Sequence, residues 1–284
     1  MNELSGPAPR RLRGLSDLLP HYDAFVLDQF GTLHDGSALY PSAVAALRAL
    51  RAAGKRVAML SNSGKRAADN ARRLTRLGVP EDVFDVVLTS GEVGFGLIAA
   101  GRVPATHGRR RCLLLERDGD GSLLEGLDLE AVPADQAELL LIAGSEGERR
   151  SLGAYAEELA PLARRGVPAV CLNPDRTMLT PSGFAFGAGQ IGELYQRLGG
   201  AVTWIGKPYA EVFAATLAAL GNPPPGQVAV VGDSVEHDIA GARAAGCAAW
   251  LVRTGIIAGA DDAAIAEECR RFGAVPDGIL EGCG

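Results

Sequence analysis

An α/β fold built around a mainly parallel sheet is predicted by two observations, and a third predicts that the sheet-bearing domain is interrupted. Short apolar runs alternate with helix-like segments along almost the whole chain. Proline stands near helix starts and glycine just past helix ends, so the connections are short. The runs that lead into chemically capable residues fall near both ends of the chain, in residues 24–61 and 202–252, and the stretch between them alternates strands and helices on its own account.

In chain order, Ala24 to Leu27 is the first run and leads into Asp28. Pro41 opens a helix that Gly54 closes, Val57 to Leu60 is the next strand, and the helical stretch Arg66 to Leu77 stops at Gly78. Val86 to Leu88 follows. A boundary near Thr89-Ser90-Gly91 and a return near Gly187 assign residues 1–89 and 187–284 to a core and 90–186 to a folded insertion. The insertion carries the runs Cys112 to Leu115, Leu139 to Ile142 and Ala169 to Leu172. Val202 to Ile205, Val228 to Val231 and Ala248 to Val252 then complete the core. Gly187-Ala188-Gly189-Gln190-Ile191-Gly192 fits the dinucleotide spacing G-x-G-x-x-G. The run before it, Ser182 to Phe186, is short, however, and no acidic residue follows the next strand to hold a ribose. These glycines read instead as a hinge for re-entry into the core.

The 284 residues suffice for one large domain or two modest ones with a substantial core. With 28 Lys+Arg against 34 Asp+Glu the net charge is -6, and no basic run offers a surface for nucleic acid. An anionic small molecule must therefore be held by a few local groups. The five cysteines are scattered, without C-x-x-C pairs or zinc spacing, and read as reduced thiols. Arg10, Arg11 and Arg13 precede no apolar signal segment, and no apolar run approaches the roughly eighteen residues of a membrane span. A cytoplasmic location away from membranes is the expectation.

Four segments follow predicted core strands, where open α/β sheets place ligands. Asp28 offers a carboxylate nucleophile able to form an acyl-phosphate. Ser61-Asn62-Ser63-Gly64 offers a hydroxyl and an amide before a helix N-terminus. Lys207 sits in Ile205-Gly206-Lys207-Pro208, where its ammonium can neutralise both Asp28 and a transferring group. Gly232-Asp233-Ser234-Val235-Glu236-His237-Asp238 sets two carboxylates five residues apart, an oxygen-rich setting for Mg²⁺. Taken singly, Asp233, Ser61 and Asp238 are also ordinary helix N-caps, and Lys207 an ordinary surface lysine. The order of carboxylate, hydroxyl, lysine and carboxylate pair is what points to a site.

That order resembles the haloacid dehalogenase-like hydrolases, and the insertion resembles the larger α/β cap of the branch that includes sugar and nucleotide phosphatases of the NagD type. Leu88-Thr89-Ser90-Gly91-Glu92, Asn173-Pro174-Asp175 and Gly187-Ala188-Gly189 extend the likeness over nearly the whole chain. The resemblance implies a Rossmann-like core with an inserted α/β cap, a Mg²⁺ cofactor, a small phosphorylated substrate and an aspartyl-phosphate intermediate. It implies Asp28 as nucleophile and metal ligand, the Phe30 backbone carbonyl and Asp233 as further ligands, and Asp238 as support for the metal or for Lys207. Ser61 and Lys207 would bind the phosphoryl group, with Asn62, Asn173 and Asp175 as further substrate contacts. The cap is the expected surface for a homodimer.

The departure is Phe30. Family phosphatases place a second aspartate two residues after the nucleophile, to protonate the leaving oxygen and help activate water, and general acid-base catalysis of this kind is worth about 10² to 10⁴ in rate. His34 and Asp35 are the nearest substitutes, though His-Asp-Gly is also an ordinary turn. Aryl or acyl phosphates need no acid. Carbon–halogen or phosphorus–carbon hydrolysis is one alternative, which the acidic pair Asp233 and Asp238 and the lack of an identifiable cap lysine weigh against. A phospho-ligand-binding protein without turnover on the same scaffold is the other.

Overall fold

Every apolar run named above forms a strand to within one residue in the computed structural model, which describes residues 9–284 apart from 118, 120, 181 and 182. The strands are β1 (Arg10–Leu12), β2 (Ala24–Asp28), β3 (Arg56–Ser61), β4 (Val86–Thr89), β5 (Arg111–Leu115), β6 (Glu130–Ala131), β7 (Leu139–Ile142), β8 (Ala169–Cys171), β9 (Thr177–Thr180), β10 (Gly183–Phe186), β11 (Val202–Trp204), β12 (Val228–Gly232), β13 (Ala248–Val252) and β14 (Gly278–Leu280). The helices are α1 (Ala43–Ala52), α2 (Ala67–Leu77), α3 (Ser90–Ala99), α4 (Leu152–Arg164), α5 (Ala188–Arg197), α6 (Ala210–Ala219), α7 (Ala240–Ala244) and α8 (Asp262–Phe272). The run expected from Ser182 begins at Gly183, Ser182 itself lying outside the described residues. None of these helices is long and apolar enough to cross a membrane.

Chain contacts divide the described residues into two units, one holding the stretch up to Ser61, Ala71–Leu88 and Lys207–Gly284, the other Asn62–Asn70 and Thr89–Gly206. The first unit carries a seven-stranded sheet in the order β1-β14-β13-β12-β2-β3-β4. Its strand β2, flanked by β12 and β3, is buried at all five positions, which is why Ala24 to Leu27 reads as a continuous apolar run and not as an alternation. The period of two survives in the packing: Phe25 and Leu27 of β2, Val57 and Met59 of β3, and Trp250 and Val252 of β13 share one cluster with Leu47 and Leu50 of α1. In α1 the buried residues Ala43, Ala46, Leu47 and Leu50 recur at helical spacing.

The second unit has a parallel five-stranded sheet, β11-β8-β7-β5-β6, and an antiparallel hairpin of β9 and β10. Tyr155, Leu159 and Leu162 of α4 pack with Ile191 and Tyr195 of α5 over Leu140, Ile142 and Ala169. This arrangement moves the expected boundary. The Val202 run pairs with β8, Val202 opposite Ala169 and Trp204 opposite Cys171, so the chain returns to the core unit at Lys207 and not at Gly187. An apolar three-residue strand looks the same whichever sheet receives it, which is why the sequence did not separate the two. The glycines read as a hinge are packing glycines within the second unit. An added Cβ at Gly187 or Gly189 would lie 2.2 Å from the Asp175 carbonyl oxygen or 2.0 Å from that of Pro174, and one at Gly192 would lie 2.4 Å from the Trp204 ring.

Candidate active site

Strand register in the core unit gathers three loops. Leu27 of β2 is opposite Val231 of β12, and Asp28 is opposite Leu60 of β3. The carboxyl ends of three adjacent strands therefore deliver Asp28, Ser61 and Asp233 to one edge of the sheet. Lys207 arrives by another route. It follows β11 of the other sheet and stands in the turn before α6, so it does not close a core strand as expected.

The Lys207 ammonium donates to Asp28 Oδ1 at 2.5 Å and to Asp238 Oδ1 at 2.7 Å. Asp238 is presented by a π-helical turn, Val235–Ile239, and its second oxygen accepts the Ser234 N–H at 3.1 Å. Asp233 Oδ2 accepts the Ile256 N–H at 2.7 Å, and Asp28 Oδ2 accepts the Thr32 hydroxyl at 3.3 Å. Asp28, Asp233 and Asp238 each bring one carboxylate oxygen within 4.8 Å of the others. All four charged residues are at most 7 % exposed, which rules out the reading of Lys207 as a surface lysine. Burying a charge without a partner is costly, so the lysine and the carboxylates depend on one another.

Two glycines make room for this cluster. A Cβ on Gly31, whose φ is +84°, would lie 2.0 Å from Asp233 Oδ2, and one on Gly255, φ +58°, would lie 1.9 Å from the same atom. The Thr254 hydroxyl donates to the Gly31 carbonyl at 2.5 Å, tying the two loops together. The loop Thr254-Gly255-Ile256 was not singled out in the sequence. A Thr-Gly pair two residues past the apolar run Ala248 to Val252 was the available signal.

Burial raises the Asp28 carboxyl to about 7; Lys207 opposes that shift and the Asp238 charge adds to it. Asp233 is likewise raised by burial and by the Asp28 and Asp238 charges. Burial alone would lower Lys207, but Asp238 and Asp28 outweigh it and hold the ammonium protonated. Three clustered carboxylates facing one ammonium form an all-oxygen donor set with excess negative charge, which fits a hard divalent cation such as Mg²⁺.

The segment after Asp28 is arranged differently. Gln29 O accepts the N–H groups of Leu33 and His34 at 2.8 and 3.2 Å, and the Gly31 N–H donates to His34 O at 2.8 Å, closing a tight turn. The Phe30 ring stands edge-on to the His34 ring, centroids 5.9 Å apart, and packs against Gly36. His34 Nδ1 accepts the Gly36 N–H at 3.0 Å, so the neutral ring carries its proton on Nε2. Burial and the Arg73 charge lower His34 to about 4. Asp35 Oδ1 accepts from Ser37 N, Ser37 Oγ and Ala38 N, each at 2.8 Å, and these bonds lower its carboxyl to about 2. Neither suggested substitute is thus a protonated acid at neutral pH; both serve the His-Asp-Gly turn.

In the second unit Asn62 Nδ2 donates to Asp175 Oδ1 at 2.8 Å, and Asn173 Oδ1 accepts the Asp175 N–H at 3.0 Å. The three residues expected as further substrate contacts are thereby joined to one another, and Asn173 also makes the Asn-Pro turn expected of it.

The haloacid dehalogenase-like hydrolase family model matches residues 25–130, and a HAD-hydrolase-like model matches 204–280. The two matched stretches contain the loops bearing Asp28, Ser61, Lys207, Asp233 and Asp238. The chain belongs to the haloacid dehalogenase-like hydrolases. Within them its likeness is to the NagD-like branch. It is 27 % identical over 235 residues to the sugar-phosphatase AraL of Bacillus subtilis, covering 81 % of this chain and 82 % of that protein. A haloacid dehalogenase-like hydrolase from Brucella suis superposes with a TM-score of 0.84 at 28 % identity, covering 96 % of this chain and 100 % of that one. A p-nitrophenyl phosphatase from Archaeoglobus fulgidus superposes with a TM-score of 0.75 at 25 % identity, covering 93 % and 97 %. The α/β fold expected from periodicity, with the Rossmann-like core that the resemblance implied, is that of the Brucella suis structure.

Proposed function

We propose that the protein is a Mg²⁺-dependent phosphohydrolase that transfers the phosphoryl group of a small metabolite to Asp28 and then to water. The observation that carries this reading is the buried Lys207 ammonium bridging Asp28 and Asp238, with Asp233 beside them. A protein that only bound a phosphorylated ligand has no need of a buried carboxylate held in this way, and a metal-free dehalogenase has no need of the second and third carboxylates. The phosphatase names of two of the similar proteins support the same substrate class.

In this reading Asp28 attacks phosphorus through one carboxylate oxygen, forming an O–P bond as the bond to the leaving oxygen breaks. The Lys207 ammonium holds Asp28 in place and faces the charge that develops on the phosphoryl oxygens, with the Ser61 hydroxyl as a further donor. Asp28, Asp233 and the Phe30 carbonyl would hold Mg²⁺, with Asp238 in support. When bound, the ion would offset the carboxylates' charge and polarise the phosphoryl oxygens. Asn62, Asn173 and Asp175 are assigned to the organic part of the substrate.

The test is hydrolysis of p-nitrophenyl phosphate with Mg²⁺ and with excess chelator, in wild type and Asp28→Asn. Activity that needs both the ion and Asp28 is expected. Activity indifferent to chelator, or halide release from a haloacid in its place, would contradict the proposal.

A further inference from the structure

Resting on the phosphohydrolase reading, the geometry points to a narrower substrate class: phosphates whose leaving oxygen departs as a stable anion, that is, aryl phosphates and mixed carboxylic-phosphoric anhydrides. The inference is carried by what occupies the turn after the nucleophile. Phe30 has no proton to give, and its ring is wedged between the His34 ring and Gly36. His34 has its Nδ1 lone pair engaged by the Gly36 N–H, so gaining a second proton means breaking that bond. Asp35 Oδ1 accepts three hydrogen bonds from Ser37 and Ala38, which hold it as a carboxylate turned into its own loop. Two further polar side chains beside Asp28 are engaged as well. The Thr32 hydroxyl donates to Asp28, and Lys207 donates to Asp28 and Asp238.

The bond changes balance without an acid only for such substrates. The Asp28 oxygen forms a bond to phosphorus, the bond from phosphorus to the leaving oxygen breaks, and its electron pair leaves on a phenolate or carboxylate that needs no proton at neutral pH. An alkoxide from an ordinary alkyl phosphate is too basic to leave in this way. Water then attacks phosphorus, its proton passes to solvent, the bond to Asp28 breaks, and the aspartate is regenerated as a carboxylate with release of inorganic phosphate. No side chain at position 30 assists by removing the water's proton, so this second step is the slower one.

The test is the dependence of kcat/KM on the acidity of the leaving group, measured with Mg²⁺ for nitrophenyl, phenyl and alkyl phosphates and acetyl phosphate. A steep decline from acetyl and nitrophenyl phosphate to alkyl phosphates is expected in wild type. Phe30→Asp is expected to narrow the gap between aryl and alkyl phosphates by about 10²-fold or more. Steady hydrolysis of aryl and alkyl phosphates at similar kcat/KM in wild type would overturn this inference alone. Failure to hydrolyse any member of the series would overturn it together with the phosphohydrolase reading. The wild-type profile decides the matter even if Phe30→Asp does not fold.

Discussion

Two neighbouring regions of the core unit treat their polar groups in opposite ways. At the ends of β2 and β12, the charged groups of Asp28, Asp238 and Lys207 point at one another from distant parts of the chain, with bonds of 2.5 and 2.7 Å and almost no exposure. A few residues on, His34 and Asp35 bond to backbone within three residues of themselves. The first region holds costly buried charge, and the second supports its own turn. The contrast fits the proposed division of work, in which the first region activates the phosphoryl group and the second delivers no proton to the leaving group.

The comparison is broken most severely at Asp28. Asp28→Asn removes the proposed nucleophile while keeping the shape, and kcat for p-nitrophenyl phosphate should fall by roughly 10⁴-fold or more, by analogy with the loss of other nucleophiles. Steady-state assays with a melting curve on the same sample check this; a loss of activity matched by a loss of folding would not support the assignment. Lys207→Met comes next. It leaves Asp28 and Asp238 buried without their counter-charge, and breaking a buried pair from one side costs about 3–5 kcal/mol. Denaturant unfolding without Mg²⁺ should show that loss, and an unchanged midpoint would mean that the lysine does not neutralise the carboxylates.

The second region predicts a smaller, pH-dependent effect. His34 is lowered from 6.5 to about 4, so between those values the unfolded chain binds a proton that the folded chain refuses. Stability from this residue therefore rises with pH through that window and is fully present above it, by about 3 kcal/mol at a conversion of 1.36 kcal/mol per pH unit. Asp28, raised from 3.8 to about 7, acts in the opposite sense across that whole range, so the contrast to measure is wild type against His34→Gln at pH 4.5 and pH 7.5. The variant should lose less stability on acidification. Equal losses would mean that His34 is not held neutral by its surroundings.

Much of this was legible in the sequence because strand ends announce themselves. An apolar run followed by Asp28, by Ser61 or by Gly232-Asp233 names both the strand and the residue that leaves it, and the sheet register brings those ends together. Lys207 was legible as a partner but not in its route, since the Val202 run looks like a core strand and pairs with β8 instead. The space that Gly31 and Gly255 leave for Asp233 depends on distances between loops more than two hundred residues apart in the chain, and no local pattern encodes those. The short strands β1, β6 and β14 were missed because two or three residues carry too little periodicity to read. The engagement of His34 and Asp35 in their own turn is a local feature, and there the ordinary turn reading of His-Asp-Gly was the correct one.

The proposed division between a phosphoryl site at Asp28 and a following turn that supplies no proton is tested most directly by rapid-quench kinetics with p-nitrophenyl phosphate and Mg²⁺. A burst of nitrophenolate approaching one per chain is expected, followed by slower turnover, with the phosphoryl group recovered on Asp28 in the quenched protein. Release that is linear from the first turnover, with no phosphoryl group on Asp28, would contradict it.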